Sequence, residues 1–226
     1  MDNPVIVAID GPSGTGKSST SKAVAAKLGL SYLDTGAQYR AITWWMLTNG
    51  IDVDDPDAVA DSAGKPSIVS GTDPLDPQIS VDGVDVTGPI RSQEVTAAVS
   101  AVSAVPEVRA RMVEFQRAAA ATADTGIVVE GRDIGTTVLP GATAKIFLTA
   151  SAEVRAARRS TELKGAVSVA ATQEALIRRD AADSGRKTSP LAKAADAIEV
   201  DTSELTLDQV VDRVVALVEE RRATVR

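Results

Sequence analysis

Gly11-Pro12-Ser13-Gly14-Thr15-Gly16-Lys17-Ser18 has the spacing G-x-x-x-x-G-K-[ST] of a phosphate-binding loop. Its surroundings fit that reading. Pro4-Val5-Ile6-Val7-Ala8-Ile9 is an apolar, β-branched run suited to a buried strand. Lys17 to Leu28 reads as a helix ended by Gly29. Strand, loop and helix N-terminus together make an anion site: small residues let backbone N–H groups turn inward, and the helix dipole favours negative charge there. Lys17 would reach the β/γ-phosphates of a nucleoside triphosphate and the Ser18 hydroxyl would sit on Mg²⁺. An ordinary glycine-rich strand–helix turn is the competing explanation, and the flanking elements weigh against it.

Composition narrows the chemistry. The chain has 226 residues, enough to bury a core in one domain with a small insert. It is 44% hydrophobic, 24% charged and carries a net charge of −7, which argues against coating nucleic acid. There is no cysteine and no histidine. Disulfides, thiolate metal sites and histidine general bases are therefore excluded, and catalysis must run on Arg, Lys, Asp, Glu, hydroxyls and a hard metal ion. No run approaches the ~18 apolar residues of a membrane span, and no signal peptide is visible. A cytoplasmic protein without membrane or nucleic-acid partners is the expectation.

Along the chain, Ser31 to Leu33 is a short strand leading through Asp34-Thr35-Gly36 into a helix from about Ala37 to Thr48. A weaker helix follows at about Pro56 to Ala63. From 65 to 89 the character changes: Ile68-Val69, Ile79-Ser80-Val81 and Val84-Asp85-Val86 are short alternating runs, and Asp82-Gly83 is a hairpin signal. This predicts a small antiparallel insert of about three strands. Helices are expected over Ser92 to Ala104 and from Pro106, a normal first-turn residue, to about Thr125. Ile127-Val128-Val129 and Ala144-Lys145-Ile146-Phe147-Leu148 are the next strands, then helices from Ser151 to about Leu163 and Thr172 to Asp183. Ala197 to Val200 is the last strand. Thr206 with Gln209 makes a capping box ahead of a stripe of Leu207, Val210, Val211, Val214, Leu217 and Val218. Alternating strands and helices imply an α/β fold on a parallel sheet. The phosphate loop, Asp34-Thr35-Gly36 and Glu130-Gly131-Arg132-Asp133 all follow apolar runs and should meet at the C-terminal sheet edge, where such folds bind ligands.

Arginines are placed as if for phosphate. Arg40 lies one turn into its helix, Arg132 sits at a strand end, and Arg155, Arg158 and Arg159 fall on neighbouring turns. Arg178, Arg179 and Arg186 follow. Arginine grips phosphate oxygens bidentately and stays charged; for any one of these a salt-bridged surface residue is the alternative. An alcohol acceptor needs a base, for which Asp133 and Asp34 are candidates. A phosphate acceptor needs charge neutralisation and alignment, which suits a chain rich in arginine and lacking histidine. Glu130 ends its strand like a Walker-B carboxylate acting on Mg²⁺ through water; pairing with Lys17 or Arg132 is an equal alternative.

Taken together, the chain resembles the bacterial cytidylate kinases, the (d)CMP kinases, within the nucleoside monophosphate kinases. The resemblance is carried by Ile9 to Ser18, Leu33-Asp34-Thr35-Gly36-Ala37-Gln38-Tyr39-Arg40, Ile90-Arg91-Ser92-Gln93-Glu94-Val95, Gly131-Arg132-Asp133-Ile134-Gly135-Thr136, Lys145-Ile146-Phe147-Leu148, Arg179-Asp180, Ser189-Pro190-Leu191 and Ala194-Ala195-Asp196-Ala197. It implies a three-layer P-loop kinase: a central parallel sheet with helices on both faces, a small antiparallel β insert in the nucleoside-monophosphate region, and a helical lid. On that pattern the core is 1–33, 105–150 and 187–226, the CMP-binding region 34–104 with its insert at about 65–89, and the lid about 151–186. The loop from Gly11, Pro12, Ser13, Gly14, Thr15, Gly16, Lys17 and Ser18 to Ser19 would bind ATP. The CMP phosphate grip falls on Arg40, Arg132 and Arg179, with Arg186 a further nucleotide-site arginine, base readers on Ser100, Arg109 and Asp133, and the sugar side on Thr35 and Asp183. A carboxylate can accept from the cytosine N4 amino group; uracil presents an acceptor there. Arg155, Arg158 and Arg159 are the lid arginines; the resemblance assigns catalysis to Lys17, Arg132, Arg158 and Arg179, and Ser18 to Mg²⁺. Thr35 and Glu130 stand where some members carry Ser and Asp, each keeping the functional group.

The implied reaction is ATP plus CMP or dCMP giving ADP plus CDP or dCDP, by a monomer. Rivals are a related kinase for UMP or shikimate, which Asp133 opposes in the case of uracil, and a GTP-binding switch. The switch needs Asn-Lys-x-Asp, and neither Asn3 nor Asn49 is followed by Lys.

Overall fold

The computed structural model describes residues 4–162 and 167–225. Five parallel strands form the central sheet: β1 (Val5–Asp10), β2 (Ser31–Asp34), β6 (Gly126–Gly131), β7 (Ala144–Thr149) and β8 (Ile198–Asp201), in the order β2-β6-β1-β7-β8. β1 lies at the centre, as its continuous apolar run requires. Its side chains divide by the two-residue period of a strand. Val5, Val7 and Ile9 enter one core with Val24 and Ala25 of α1 (Lys17–Leu28) and with Val210, Val214 and Val218 of α8 (Leu207–Val225). Ala8 and the half-buried Ile6 enter a second core with Leu33, Ile127, Val129 and Ala120 of α5 (Pro106–Ala121). Helices thus cover both faces.

α2 (Thr35–Thr48) starts directly after β2, two residues earlier than the pattern indicated, because Asp34 caps it by accepting from the Ala37 N–H at 2.9 Å. α3 (Pro56–Ser62) follows. The predicted insert is present as β3 (Ile68–Ser70), β4 (Ile79–Val81) and β5 (Val84–Asp85), an antiparallel sheet. Asp82 and Gly83 both take left-handed backbone angles (φ 51° and 81°), the geometry of a primed hairpin turn. The insert cannot close a core alone: Ile79, Val81 and Val86 pack on Ala41, Trp44 and Trp45 of α2. A further core joins α2 and α3 to α4 (Gln93–Val102) and α5 through Met46, Val59, Val99 and Met112.

α6 (Ala152–Glu162) and α7 (Val169–Ser184) pack together as a helical pair. Leu163, the expected last residue of α6, and 164–166 lie outside the described residues. α7 begins three residues before the expected Thr172 because Ser168 caps it, accepting from the Ala171 N–H at 3.2 Å. At α8 the capping box forms reciprocally, Thr206 N donating to Gln209 Oε1 at 2.9 Å and Gln209 N to Thr206 Oγ1 at 3.3 Å. Leu207 departs from the expected stripe. It is the first helical residue and is turned to solvent, while Val215 completes the buried face. The π-helical turn Ile134–Val138 is a feature the sequence pattern did not indicate. Among the described residues no helix is long and apolar enough to cross a membrane.

Candidate active site

Register brings the predicted segments to one edge. Asp34 and Ile9 both pair with Glu130, and Asp10 pairs with Gly131. The loop after β1 therefore faces the turn after β6. Gly11 has φ 147° and its Cβ position lies 2.2 Å from the Leu148 carbonyl oxygen of β7. Gly11→Ala should therefore destabilise the fold by about 3 kcal/mol or more, read as a lowered melting temperature; an unchanged one would contradict this packing. Gly16, at φ 84°, has nothing within 4 Å of its Cβ position, and no side chain caps α1. The N–H groups at that helix start are left facing open space, as an incoming phosphate requires.

Lys17 arches back over the loop, donating from Nζ to the Pro12 carbonyl at 2.6 Å. Burial, reinforced by the positive charge of Arg132, lowers its pKa well below the ordinary lysine value. Ser13 is held at three atoms. Its N–H donates to Asp180 Oδ1 at 3.0 Å, its carbonyl accepts from Arg155 Nη1 at 3.1 Å, and its Oγ accepts from Arg132 Nη2 at 2.6 Å. Arg155 also pairs with Asp180. α6 and α7 are thus tied to the loop. Asp10 anchors the turn after β6: its carboxylate accepts from Ile134 N at 2.9 Å and Gly135 N at 2.8 Å. Burial pushes its pKa up to about 6 against those two hydrogen bonds.

Across the cleft stand Arg40 and Arg179. Among the described residues neither has a carboxylate partner within salt-bridge distance. Arg40 donates to Thr96 Oγ1 at 2.9 Å and to the Ile90 carbonyl at 3.3 Å; Arg179 Nε is buried with no partner. Burial and the positive charges of neighbouring arginines bring both pKa values down to about 10. Cations that disfavour one another's charge and lack a counter-ion form a seat for an anion. Arg132 flanks them, its Nε donating to Asp183 Oδ2 at 3.0 Å, and Asp183 also pairs with Arg186.

Beyond the arginines, Asp133 Oδ2 accepts from Arg109 Nη2 at 2.6 Å, with both side chains buried. Burial raises the Asp133 pKa and Arg109 opposes that rise. Arg109 also lies over the Tyr39 ring, 5.4 Å from its centroid. Thr35, expected on the sugar side, donates from Oγ1 to the Glu130 carbonyl at 2.7 Å.

At the other end of the loop, Tyr32 donates to Glu130 Oε1 at 2.6 Å, leaving Oε2 buried without a partner. Burial, then the neighbouring Asp34 charge, push the Glu130 pKa up to about 7, against the Tyr32 hydrogen bond, the Lys17 charge and Ser18 in that order. Among the described residues Glu130 is within salt-bridge distance of neither Lys17 nor Arg132, although the Lys17 charge acts on it; its Oε2, with Ser18 and Asp34 beside it, is a hard-oxygen donor set of the kind Mg²⁺ takes.

One cleft is lined by Ser13, Gly14, Gly16, Lys17, Ser18 and Ser19 on one side and by Thr35, Arg40, Arg109, Arg132, Asp133, Arg179, Asp183 and Arg186 on the other. Of Arg155, Arg158 and Arg159, Arg159 lines it and the other two do not. Arg155 serves Ser13 and Asp180, and Arg158 turns away to Thr202, donating to Oγ1 at 2.8 Å and to the carbonyl at 2.7 Å. Ser100 is not on the lining; Ser103, one helical turn on, is. Residues without a role in the sequence reading are Asp10 and Asp180, both within the segments that carry the resemblance, and Tyr32, Ser103 and Thr202. Asp180 was legible in principle, three residues before Asp183 on one helix face.

A triphosphate loop and a seat of unpaired arginines sharing one cleft at the edge of a parallel sheet define a P-loop phosphotransferase with an anionic acceptor. A sequence model of the cytidylate kinase family matches residues 7–220. Cytidylate kinase from Streptomyces coelicolor is 80% identical over 97% of this chain and 94% of its own length, that from Streptomyces avermitilis 76% over the same shares, and that from Nocardia farcinica 53% over 99% and 97%. The chain belongs to the cytidylate kinase family. An uncharacterized protein from Eubacterium ventriosum shares the fold, with a TM-score of 0.52 and 13% identity over 96% of this chain and 99% of that one.

Proposed function

We propose that this protein transfers the γ-phosphoryl group of ATP directly, in line, to the phosphate of CMP or dCMP, giving ADP and CDP or dCDP. The observation that carries the reading is that Arg40 and Arg179, without carboxylate partners among the described residues, share one cleft with the loop of Lys17. Lys17 and the loop N–H groups hold the triphosphate. Arg40, Arg132 and Arg179 fix the acceptor phosphate in line, and catalysis is mostly positioning and charge neutralisation. Asp133 accepts from the cytosine N4 amino group, held in place by Arg109. Thr35, Asp183 and Arg186 complete the nucleoside side, and Ser100 acts from behind the lining through its carbonyl, which accepts from Ser103 Oγ. Ser18 and Glu130 would hold Mg²⁺, which would supply charge neutralisation on the triphosphate when bound.

The same reading divides the chain into a core (1–33, 105–150 and 187–226), a CMP-binding region (34–104) and a lid (151–186). The lid excludes water and so limits idle ATP hydrolysis. Arg159 is the lid arginine best placed to meet the transferring group. Arg158 acts from behind through Thr202, whose Oγ1 in turn lies 3.3 Å from the Thr15 carbonyl. Donor and acceptor residues come from one chain, which supports a monomeric catalyst; the cytoplasm is where its nucleotide substrates are used. Incubated with ATP, Mg²⁺ and CMP, the protein should form ADP and CDP in equal amounts, resolved by ion-exchange chromatography. Consumption of ATP with no CDP would overturn the reading.

A further inference from the structure

Ser103 follows α4 and joins two halves of the acceptor site. Its side chain is 4% exposed overall with the residue, yet it lines the cleft. Every polar group it has is used. Its N–H donates to the Val99 carbonyl at 2.9 Å. Its carbonyl, one of those left without an intrahelical donor at a helix end, accepts from Arg109 Nη1 at 3.2 Å. Its hydroxyl donates to the Ser100 carbonyl at 3.2 Å and accepts from Arg186 Nη2 at 3.0 Å.

The consequence lies in what those arginines hold. Arg109 pairs with Asp133, and Arg186 pairs with Asp183, which also accepts from Arg132. A continuous polar chain therefore runs Asp133–Arg109–Ser103–Arg186–Asp183–Arg132. Its first pair sits on the base side of the cleft, Arg186 and Asp183 on the nucleoside side, and its last member, Arg132, among the arginines of the acceptor phosphate. Ser103 is the uncharged link between them, and the C-terminal end of α4, with its partial negative charge, favours guanidinium groups at this point. Removing the hydroxyl cuts the chain without removing a charge, while leaving the Arg109 contact to the backbone carbonyl in place.

We propose that Ser103 is a specificity-determining positioning residue: its hydroxyl fixes Arg186 against the base-reading pair, so that the correct base and the phosphate arginines are set as one unit. This rests on the acceptor being a cytidine monophosphate. Initial rates with CMP and UMP should be measured for the wild type, Ser103→Ala and Ser103→Thr. Loss of a hydrogen bond to a charged group in Ser103→Ala should raise KM for CMP about tenfold with kcat within about twofold, and lower the CMP-to-UMP ratio of kcat/KM by a similar factor. Ser103→Thr, which keeps the hydroxyl, should hold the wild-type ratio. Combining Ser103→Ala with Arg186→Ala should add nothing to the loss in that ratio caused by Arg186→Ala alone, because the two share one interaction. An unchanged ratio in Ser103→Ala, equal losses with both nucleotides, or additive losses in the double variant would overturn the proposal. A wild type that fails to phosphorylate CMP would instead remove the function on which it rests.

Discussion

Lys17→Ala should lose phosphoryl transfer by about a thousandfold while keeping its fold. The ammonium bridges the loop to Pro12 at 2.6 Å, is 8% exposed with its residue, and is the charge that would follow the transferring phosphoryl oxygens. It is also a costly group to keep. Burial and Arg132 both disfavour its charged form, and only the acidic groups around it, Glu130 foremost, favour it. A buried charge held against such terms contributes little to folding, so its removal should leave the melting temperature within a few degrees, or raise it. Turnover measured beside thermal denaturation separates the two effects. Near-normal turnover would remove Lys17 from the chemistry, and collapse of the fold would make it structural.

Asp133→Ala should act on recognition and on stability together. The carboxylate and Arg109 form an ion pair buried on both sides. Deleting one partner leaves the other charge unpaired, at a cost of about 3–5 kcal/mol. With the base reader gone, kcat/KM for CMP should fall about a hundredfold, while the dissociation constant for ATP changes by less than about threefold, since Asp133 lies on the acceptor wall. Asp133→Asn keeps an acceptor oxygen in nearly the same volume, and should recover part of the CMP use. Calorimetric titration with ATP and initial rates with CMP read the two sides. Equal losses in both would assign Asp133 to the fold or the donor side.

The parts of this architecture legible in the sequence are those whose cause is local. The strand, loop and helix from Val5 to Leu28 follow from an apolar run and a spacing of glycines. The hairpin at Asp82-Gly83 follows from two residues that tolerate left-handed angles, and the start of α8 from the reciprocal Thr206–Gln209 cap. What escaped is set by tertiary partners. The π-helical turn at Ile134–Val138 exists where a carboxylate ten residues from the chain start, Asp10, takes the Ile134 and Gly135 N–H groups. No local pattern announces that partner. Helical spacing groups Arg155, Arg158 and Arg159 but does not say what each meets: Asp180 and Ser13, Thr202, and the cleft respectively. Ser100 and Ser103 lie within one turn, and only the packing of α7 against α4 brings Arg186 to the second of them.

The functional account makes the cleft a compromise. Arg40 and Arg179 are held close enough to disfavour each other's charge, and a dianionic phosphate relieves that repulsion as it binds. Contacts at Ser13 would let the same event reach the loop of Lys17, through Arg132 on the hydroxyl and through Asp180 and Arg155 on the backbone. On the proposed function, acceptor identity is decided at Asp133, Arg109 and Ser103, while the loop of Lys17 only holds the phosphoryl donor.

The most direct test is a single ATP-coupled assay giving kcat/KM for CMP, dCMP, UMP and shikimate under identical conditions. CMP or dCMP should exceed UMP by at least about tenfold, with no turnover of shikimate. A value for CMP no higher than that for UMP, or turnover of shikimate in their place, would contradict the assignment.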